Sequence, residues 1–296
     1  MKKPRKPLIT FIICSTDKDK LANCLRAIKN QNYPANRMKF LIMRGYMPEG
    51  KGGGKQVGCK MAKGEFIAIV DEDNEVVGPE WLNDMLEPLL KDKTIVGSAC
   101  RLLLDRKDPL INRYIALVGT DPVFAYRSLD GQLNLYAQHS ETLVLKMDKD
   151  SMMVTGGNCF IYRKSALDKI GGYVQDTDNI ASFVEQDICK IAVPEKAMTH
   201  HFAASSVGEF LKKKRFWSKK PTSEKFKWIP ETFSGKIRLC SNIFCNLTVI
   251  GNVYKAIKHY YRDGKEPAWS LHPLLAFLTT VIYIESYLKS KIFKKE

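Results

Sequence analysis

The N-terminal half of the chain alternates short apolar runs with segments of helical spacing. Residues 8–14 form a β-branched, almost unbroken apolar run, which is typical of a parallel strand buried on both faces. Apolar residues recur at helical spacing over 21–28, until Asn-Tyr-Pro at 32–34 stops the pattern. Two more apolar runs, at 40–43 and 66–70, predict strands. This rhythm predicts an α/β fold with a mostly parallel sheet flanked by helices.

The pattern changes along the second half. Residues 158–162 predict a strand, and 165–170 predict a short helix that ends at Gly171-Gly172. After Pro221, apolar residues mix with asparagines, and 268–288 is the most apolar stretch of the chain. We therefore expect an α/β domain at 1–220 and a basic, apolar helical segment at 221–296.

Candidate ligand-binding residues follow the predicted strands. In open α/β sheets, ligands bind beyond the carboxyl ends of the strands. The residues at those ends are Cys14, Ser15 and Thr16, then Arg44, then Asp71, Glu72 and Asp73. Several carboxylates after one buried strand repel each other, so the acidic run favours a bound Mg²⁺ or Mn²⁺ that also contacts substrate phosphate. The alternative is an acidic turn that caps the next helix.

A glycine-rich segment at 50–58 precedes the acidic run. Its backbone amides and the ammonium of Lys55 could approach phosphates closely. The segment lacks the residue order of a P-loop and does not open directly from a strand, as a dinucleotide-binding fingerprint would. A flexible surface loop is the alternative.

The charge balance indicates an anionic partner. The chain has 47 Lys+Arg against 32 Asp+Glu, a formal charge of +15. Nucleic acid, anionic lipid and a phosphate-rich substrate would all be attracted. No nucleic-acid-binding module or aromatic-basic interleaving is recognisable, so we expect no nucleic-acid partner, although a non-enzymatic basic nucleic-acid-binding protein is one alternative. Basic clusters flank the apolar C-terminal part, which favours an anionic membrane surface.

Cysteine usage and the apolar segment bear on localisation. The eight cysteines are scattered, without CxxC or zinc spacing, and no signal-peptide pattern opens the sequence, so we expect the catalytic part in the cytoplasm. Residues 268–288 are just long enough to cross a bilayer but contain Pro273 and Glu285. Interfacial or re-entrant attachment is favoured over a spanning helix, and a spanning helix over a buried one. We expect a membrane-associated protein.

Several motifs in order resemble the family 2 glycosyltransferases of GT-A fold, over residues 7 to about 220. They lie at residues 8–14, 32–34, 63–68, 71–73, 156–160 and 185–187. The resemblance implies an inverting transfer of sugar from a nucleotide sugar, with Asp71 and Asp73 binding metal and diphosphate. It implies that Glu185 or Asp187 is the catalytic base, and we favour Asp187 because a helix would begin there. The alternative is an acidic pair stabilised by a helix N-terminus.

The resemblance also suggests the remaining contacts. His200 or His201 would ligate the metal. Lys214 and Arg215 would contact the donor, and the acceptor side would include the residues Asp121, Gly156, Gly157, Asn158 and Trp217. A lipid-linked or cell-surface glycan acceptor is expected. A metal-dependent nucleotidyltransferase is the enzymatic alternative, since it could use the same D-x-D.

Overall fold

The computed structural model describes residues 5–44, 50–119, 122–123, 141–149, 159–219 and 229–292. By their contacts these residues form two compact units. The first contains the described residues up to 103, with 141–149 and 159–201. The second contains 104–119, 122–123, 202–219 and 229–292. The domain boundary drawn at residue 220 stays a prediction.

The described strands all belong to the first unit. In chain order they are β1 (Ile9–Ser15), β2 (Met38–Arg44), β3 (Phe66–Asp71), β4 (Asn74–Val76), β5 (Gly97–Ala99), β6 (Arg101–Leu102), β7 (Leu143–Lys146), β8 (Phe160–Arg163), β9 (Lys190–Val193) and β10 (Met198–His201). Seven form one sheet in the order β2-β1-β3-β8-β5-β9-β7, and three form a small sheet in the order β4-β10-β6. In the large sheet β7 and β8 run against the other five strands. The predicted α/β fold class is confirmed, with a mixed sheet.

The α-helices fall in both units. They are α1 (Lys18–Lys29), α2 (Gly50–Met61), α3 (Trp81–Lys91), α4 (Leu110–Val118), α5 (Lys164–Lys169), α6 (Asp176–Glu185), α7 (Val207–Ser218), α8 (Phe233–Leu247), α9 (Val249–Arg262) and α10 (His272–Ile292). Short 3-10 helices occur at Ala35–Arg37 and Pro267–Leu271. Asp17 caps α1, since its carboxylate accepts hydrogen bonds from the backbone N–H groups of Asp19 and Lys20.

β1 is the centre of the first unit's core. All seven of its residues are buried, as the unbroken apolar run predicted. Phe11 and Ile13 belong to one apolar cluster with Cys24 of α1 and Trp81 of α3. Successive side chains of a strand point to opposite faces, so Ile12 faces the other side of the sheet, where it lies against Gly58 of α2. Helices therefore cover β1 on both faces.

The glycine-rich segment at 50–58 is helical, which excludes the alternative of a flexible surface loop. Glycine disfavours helix in isolation, but tertiary packing outweighs that preference. A Cβ on Gly58 would lie 2.7 Å from Ile12 Cγ2, so the absence of a side chain lets α2 approach β1 closely. This close packing positions Lys55 beside the carboxyl edge of the sheet.

The close approach at Gly58 can be tested with a pair of glycine substitutions on α2. We expect Gly58→Ala to lower the free energy of unfolding by about 1–3 kcal/mol, because the Ile12 methyl is buried in the central strand and has little room to move. Gly52→Ala is the control, since a Cβ there meets nothing within 4 Å. It should raise stability by up to about 1 kcal/mol through helix propensity. Urea unfolding of both variants measures the difference, and equal effects would contradict the close approach.

The apolar C-terminal segment is the central helix of the second unit. Residues Leu275, Ala276 and Thr279 of α10 are buried, and α10 contacts α7, α8 and α9. The segment Pro267–Ser290 is long and apolar enough to cross a membrane, yet 44% of its 18-residue apolar window is buried inside the protein. Its apolar character therefore serves, at least in part, the packing of this unit.

Candidate active site

The carboxyl edge of β1, β2 and β3 gathers several of the predicted donor-binding residues. In the parallel register Cys14 lies opposite Asp71, and Ser15 lies opposite Arg44. Cys14 and Ser15 are buried, and the Ser15 hydroxyl donates a hydrogen bond to the Asp17 carbonyl. These two residues therefore form a buried part of this edge, whereas Arg44, at the end of β2, is exposed.

Glu72 holds the loop after β1, and its contact with a donor stays a prediction. Its carboxylate accepts hydrogen bonds from Thr16 N (2.8 Å), Thr16 Oγ1 (3.0 Å) and Asp17 N (2.9 Å). Burial raises the pKa of Glu72, but these hydrogen bonds outweigh burial and bring the pKa below its ordinary value. Glu72 is therefore charged, and its hydrogen bonds link the end of β3 to the end of β1.

Lys55 joins two carboxylates at the same edge. Its Nζ lies 3.2 Å from Asp71 Oδ1 and 3.1 Å from Asp176 Oδ2. Only 5% of Lys55 is exposed. Burial lowers the pKa of the ammonium, but the charges of Asp176 and Asp71 raise it more, so the pKa lies above its ordinary value. Lys55 is therefore charged at neutral pH and neutralises part of the acidic edge.

Asp176 is a site residue that the sequence analysis missed. It is the first residue of α6, which begins after the Gly171-Gly172 turn, and its Oδ1 accepts a hydrogen bond of 2.6 Å from the Tyr173 hydroxyl. Gln56 of α2 donates to the Val174 carbonyl at 2.9 Å, which attaches this helix start to α2. The sequence does contain a signal for this residue. Acidic residues soon after the pair Gly171-Gly172 are typical of the first turn of a helix.

The second aspartate of the D-x-D lies beside a histidine. Asp73 Oδ2 is 3.6 Å from His201 Nε2, because the antiparallel pairing of β4 and β10 sets His201 opposite Asn74. His200 is opposite Glu75, and alternation along the strand turns it to the other face. Of the two predicted histidines, His201 is therefore the one at the D-x-D.

The donor atoms at Asp73 and His201 fit a divalent cation. Among the described residues, no group of three or more His, Cys, Asp or Glu side chains is arranged to hold a metal ion. Mg²⁺ and Mn²⁺ sites at phosphates do not need such a cage, since one or two carboxylates and the substrate oxygens complete the shell. An aspartate with a neighbouring imidazole supplies suitable oxygen and nitrogen ligands.

Glu185 and Asp187, the expected catalytic bases, lie at the opposite edge of the sheet. α6 ends at Glu185, so no helix begins at Asp187, which has φ of 53° in the following turn. Helical rise of about 1.5 Å per residue puts Glu185 roughly 14 Å from the start of α6. β9 runs in the direction of β3, so Asp187, just before β9, is at the amino edge, whereas Asp71 ends β3 at the carboxyl edge.

The surroundings of Asp187 also differ from those of an active-site base. Its side chain is 82% exposed and forms an ion pair of 3.2 Å with Lys146, itself exposed. A depression of about 360 Å³ adjoins it, lined by Lys146, Met147, Asp148, Lys149, Val184 and Asp187. None of these lining residues belongs to the D-x-D edge, so the structure does not bring Asp187 and Glu185 together with the D-x-D.

The remaining predicted contacts belong to the second unit or to residues outside the described ranges. Lys214, Arg215 and Trp217 are on α7 of the second unit, where Lys214 Nζ lies 5.1 Å from the Phe210 ring centroid and Trp217 packs edge-on against Phe216. Their donor and acceptor contacts stay predictions. Four expected acceptor residues are outside the described residues: Asp121, Gly156, Gly157 and Asn158.

The fold is similar to that of glycosyltransferases of GT-A type. A mannosyltransferase, PcManGT from Pyrobaculum calidifontis in complex with GDP-Man and Mn²⁺, matches 96% of this chain and 91% of its own, at a TM-score of 0.52 and 12% identity. TarS 1–349 of S. aureus in complex with UDP-GlcNAc has a TM-score of 0.46 at 12% identity, covering 96% and 92% of the two chains. The likeness to the mannosyltransferase describes the fold.

The sequence comparisons give the family. The uncharacterized protein y4gI of Sinorhizobium fredii is 25% identical over 164 residues, which is 52% of this chain. The chain spans only 17% of that relative's length. The family model described as "Glycosyltransferase like family 2" matches residues 1–219. The chain belongs to this glycosyltransferase family, as the ordered motifs predicted.

Proposed function

We propose that this protein is an inverting glycosyltransferase that moves a sugar from a nucleotide-sugar donor to an acceptor hydroxyl, with Asp176 as the catalytic base. The observation that carries the proposal is the contact of Lys55 with both Asp71 and Asp176. It joins the D-x-D to a second carboxylate at one edge of the sheet. A transferase needs the D-x-D and the base close together, because the diphosphate leaves from the same carbon that the acceptor hydroxyl attacks.

The proposed reaction uses Asp176 as a proton acceptor. Its carboxylate takes the proton from the acceptor hydroxyl while that oxygen attacks the anomeric carbon, and the bond from this carbon to the diphosphate oxygen breaks. Attack from the face opposite the diphosphate inverts the anomeric centre. The products are the glycoside and a nucleoside diphosphate. The Tyr173 hydroxyl and Lys55 hold the carboxylate in a fixed orientation.

The diphosphate end of the donor is proposed to lie at Asp73 and His201. These two residues would hold Mn²⁺ or Mg²⁺, which when bound supplies positive charge to the departing diphosphate. The Lys55 ammonium adds a fixed positive charge beside Asp71. Arg44, at the end of β2, is a further cation for the nucleotide. The Mn²⁺ and GDP-Man bound to the Pyrobaculum mannosyltransferase support this class of donor and metal.

The acceptor is proposed to be lipid-linked or a cell-surface glycan, with the enzyme working on the cytoplasmic side of a membrane. The basic residues of α7 and the apolar segment Pro267–Ser290 support a membrane location. A lipid-linked acceptor presents its hydroxyl close to the bilayer. An enzyme bound to the same membrane would encounter this acceptor by diffusion along the membrane surface.

A panel of nucleotide sugars tests the proposal. The purified chain is incubated with Mn²⁺ and each donor, and both the melting temperature and released nucleoside diphosphate are measured. A bound donor raises the melting temperature. We expect Asp73→Asn to reduce turnover by about 100- to 1,000-fold, because charge stabilisation of the leaving group is lost. Asp168→Asn, on the exposed surface of α5, is the matched control and should keep full turnover.

The products distinguish the proposal from its alternative. Release of pyrophosphate instead of nucleoside diphosphate would identify a nucleotidyltransferase. Absence of both a melting shift and turnover with every donor in the panel would contradict nucleotide-sugar transfer.

A further inference from the structure

The outward face of α8 is apolar. Four residues recur at spacings of four, seven and three, which sets them on one side of a helix: Phe233, Ile237, Phe244 and Leu247. All four side chains are exposed, Phe233 to 79% and Phe244 to 69%. Single exposed apolar residues are ordinary on protein surfaces, but a continuous stripe along a helix marks an interaction surface.

The outward face of α9 repeats this pattern. The two helices are separated by one residue, Thr248, which is the C-cap of α8 and the N-cap of α9. Ile250, Tyr254, Ile257 and Tyr261 follow each other at spacings of four, three and four, and all are exposed, Ile250 to 85%. The exposed stripes of α8 and α9 together are called the α8–α9 surface below.

The inward faces of both helices carry asparagines. Asn242 donates to the Pro122 and Val123 carbonyls at 3.2 and 3.0 Å, and Asn246 donates to Thr280 Oγ1 at 3.1 Å. Asn252 donates to the Asn246 carbonyl at 2.9 Å. All three asparagines are buried. The usual arrangement of a helix in water, with apolar residues inside and polar residues outside, is thus reversed.

The charge of the α8–α9 surface selects its partner. Residues 233–262 contain five Lys or Arg, namely Lys236, Arg238, Lys255, Lys258 and Arg262, and no Asp or Glu. Lys236 follows Phe233 by three residues and Lys258 follows Tyr254 by four, so these two cations flank the stripes. A second copy of the chain would bring the same positive charges together in a two-fold interface. An anionic lipid surface offers apolar chains and complementary charge at once.

We propose that the α8–α9 surface docks onto an anionic bilayer. Both helices lie in the plane of the interface, with the apolar stripes among the upper acyl chains and the flanking lysines at the headgroup phosphates. Tyr254 and Tyr261 suit this depth, because each has an apolar ring and a polar hydroxyl. The proposal rests on the membrane location given in the proposed function, but no residue of the D-x-D edge takes part, so vesicle binding can fail while sugar transfer to a soluble acceptor persists.

Co-sedimentation of the full chain with vesicles tests the docking. Vesicles of phosphatidylcholine and phosphatidylglycerol in equal amounts should bind the protein, pure phosphatidylcholine vesicles should bind it more weakly, and added salt should weaken the anionic binding. The double variant Phe244→Gln with Ile250→Gln should lower vesicle affinity by about tenfold or more, since two inserted apolar side chains are lost. Leu90→Gln, which changes an exposed apolar residue of α3, should leave affinity unchanged.

A charge variant keeps the test interpretable if the double variant folds poorly, as circular dichroism would reveal. Lys258→Glu changes one exposed side chain and should weaken binding to the anionic vesicles while leaving the weak binding to phosphatidylcholine unchanged. Unchanged anionic binding in both variants would overturn the proposal. A dimer of the wild-type chain in solution that the double variant dissociates would instead assign the surface to a second copy, and would also overturn it.

Discussion

Asp176→Asn is expected to lower kcat of sugar transfer by about 100- to 10,000-fold, the usual contribution of a general base. The amide has nearly the shape of the carboxylate but cannot accept the proton of the acceptor hydroxyl. Donor binding should persist, because Asp73, His201 and Lys55 are retained. The measurement is steady-state kinetics of nucleoside diphosphate release in the presence of acceptor, together with the donor-induced rise in melting temperature.

The matched control for this variant is Asp187→Asn. Asp187 is exposed at the amino edge of the sheet, so its replacement should leave kcat near the wild-type value. Asp176→Glu should restore part of the activity, since it returns a carboxylate at a slightly different reach. The proposal for Asp176 fails if Asp187→Asn removes activity while Asp176→Asn retains it.

Lys55→Met is expected to lower the free energy of unfolding by roughly 2–3 kcal/mol at neutral pH. Removing one partner of a buried ion pair generally costs more, but Asp71 and Asp176 are each about one-fifth exposed and can be solvated in part. Without the ammonium, the charges of the two neighbouring carboxylates repel each other without compensation. Urea unfolding at pH 7 measures the loss of stability.

The pH dependence gives this prediction a second readout. Because the pKa of Lys55 lies above its ordinary value, its ammonium stays charged throughout the neutral range, and the contribution of this charge to stability is lost as the pH rises into strong alkali. The destabilisation by Lys55→Met should therefore stay nearly constant across the neutral range and shrink in strong alkali, where the wild type loses the same charge. Lys60→Met, which changes an exposed lysine of the same helix, should stay within about 0.5 kcal/mol of the wild type. A Lys55→Met protein as stable as the wild type would show that the contacts of Lys55 do not matter.

These predictions give the two aspartates of the D-x-D different roles. Asp71 contacts Lys55, which also contacts Asp176, whereas Asp73 lies beside His201. Loss of Asp73 should therefore weaken mainly the binding of metal and diphosphate. Loss of Lys55 should mainly disturb the position of Asp176, on the acceptor side, relative to Asp71, on the donor side. Glu72, between the two aspartates, stabilises the loop after β1.

The sequence alone determined the fold class and the location of the D-x-D. The apolar run at 8–14 is long enough and β-branched enough to form only a buried strand, and the structure buries all of β1. Asp71 and Asp73 follow a similar run, so their place at the carboxyl end of a strand was predictable from local pattern. Local pattern suffices here because the apolar and β-branched residues that favour a buried strand are adjacent in the chain.

Only the tertiary structure decided which other residues join the D-x-D. Lys55 and Asp176 are 121 residues apart, and their contact depends on how closely α2 packs on β1, which Gly58 permits through the absence of a Cβ. The choice between His200 and His201 depended on the register of β10 against β4. Asp187 has the residue type of a base, but the direction of β9 sets it at the wrong edge. Residue type and spacing carry no information on such long-range pairings, because packing and strand direction fix them.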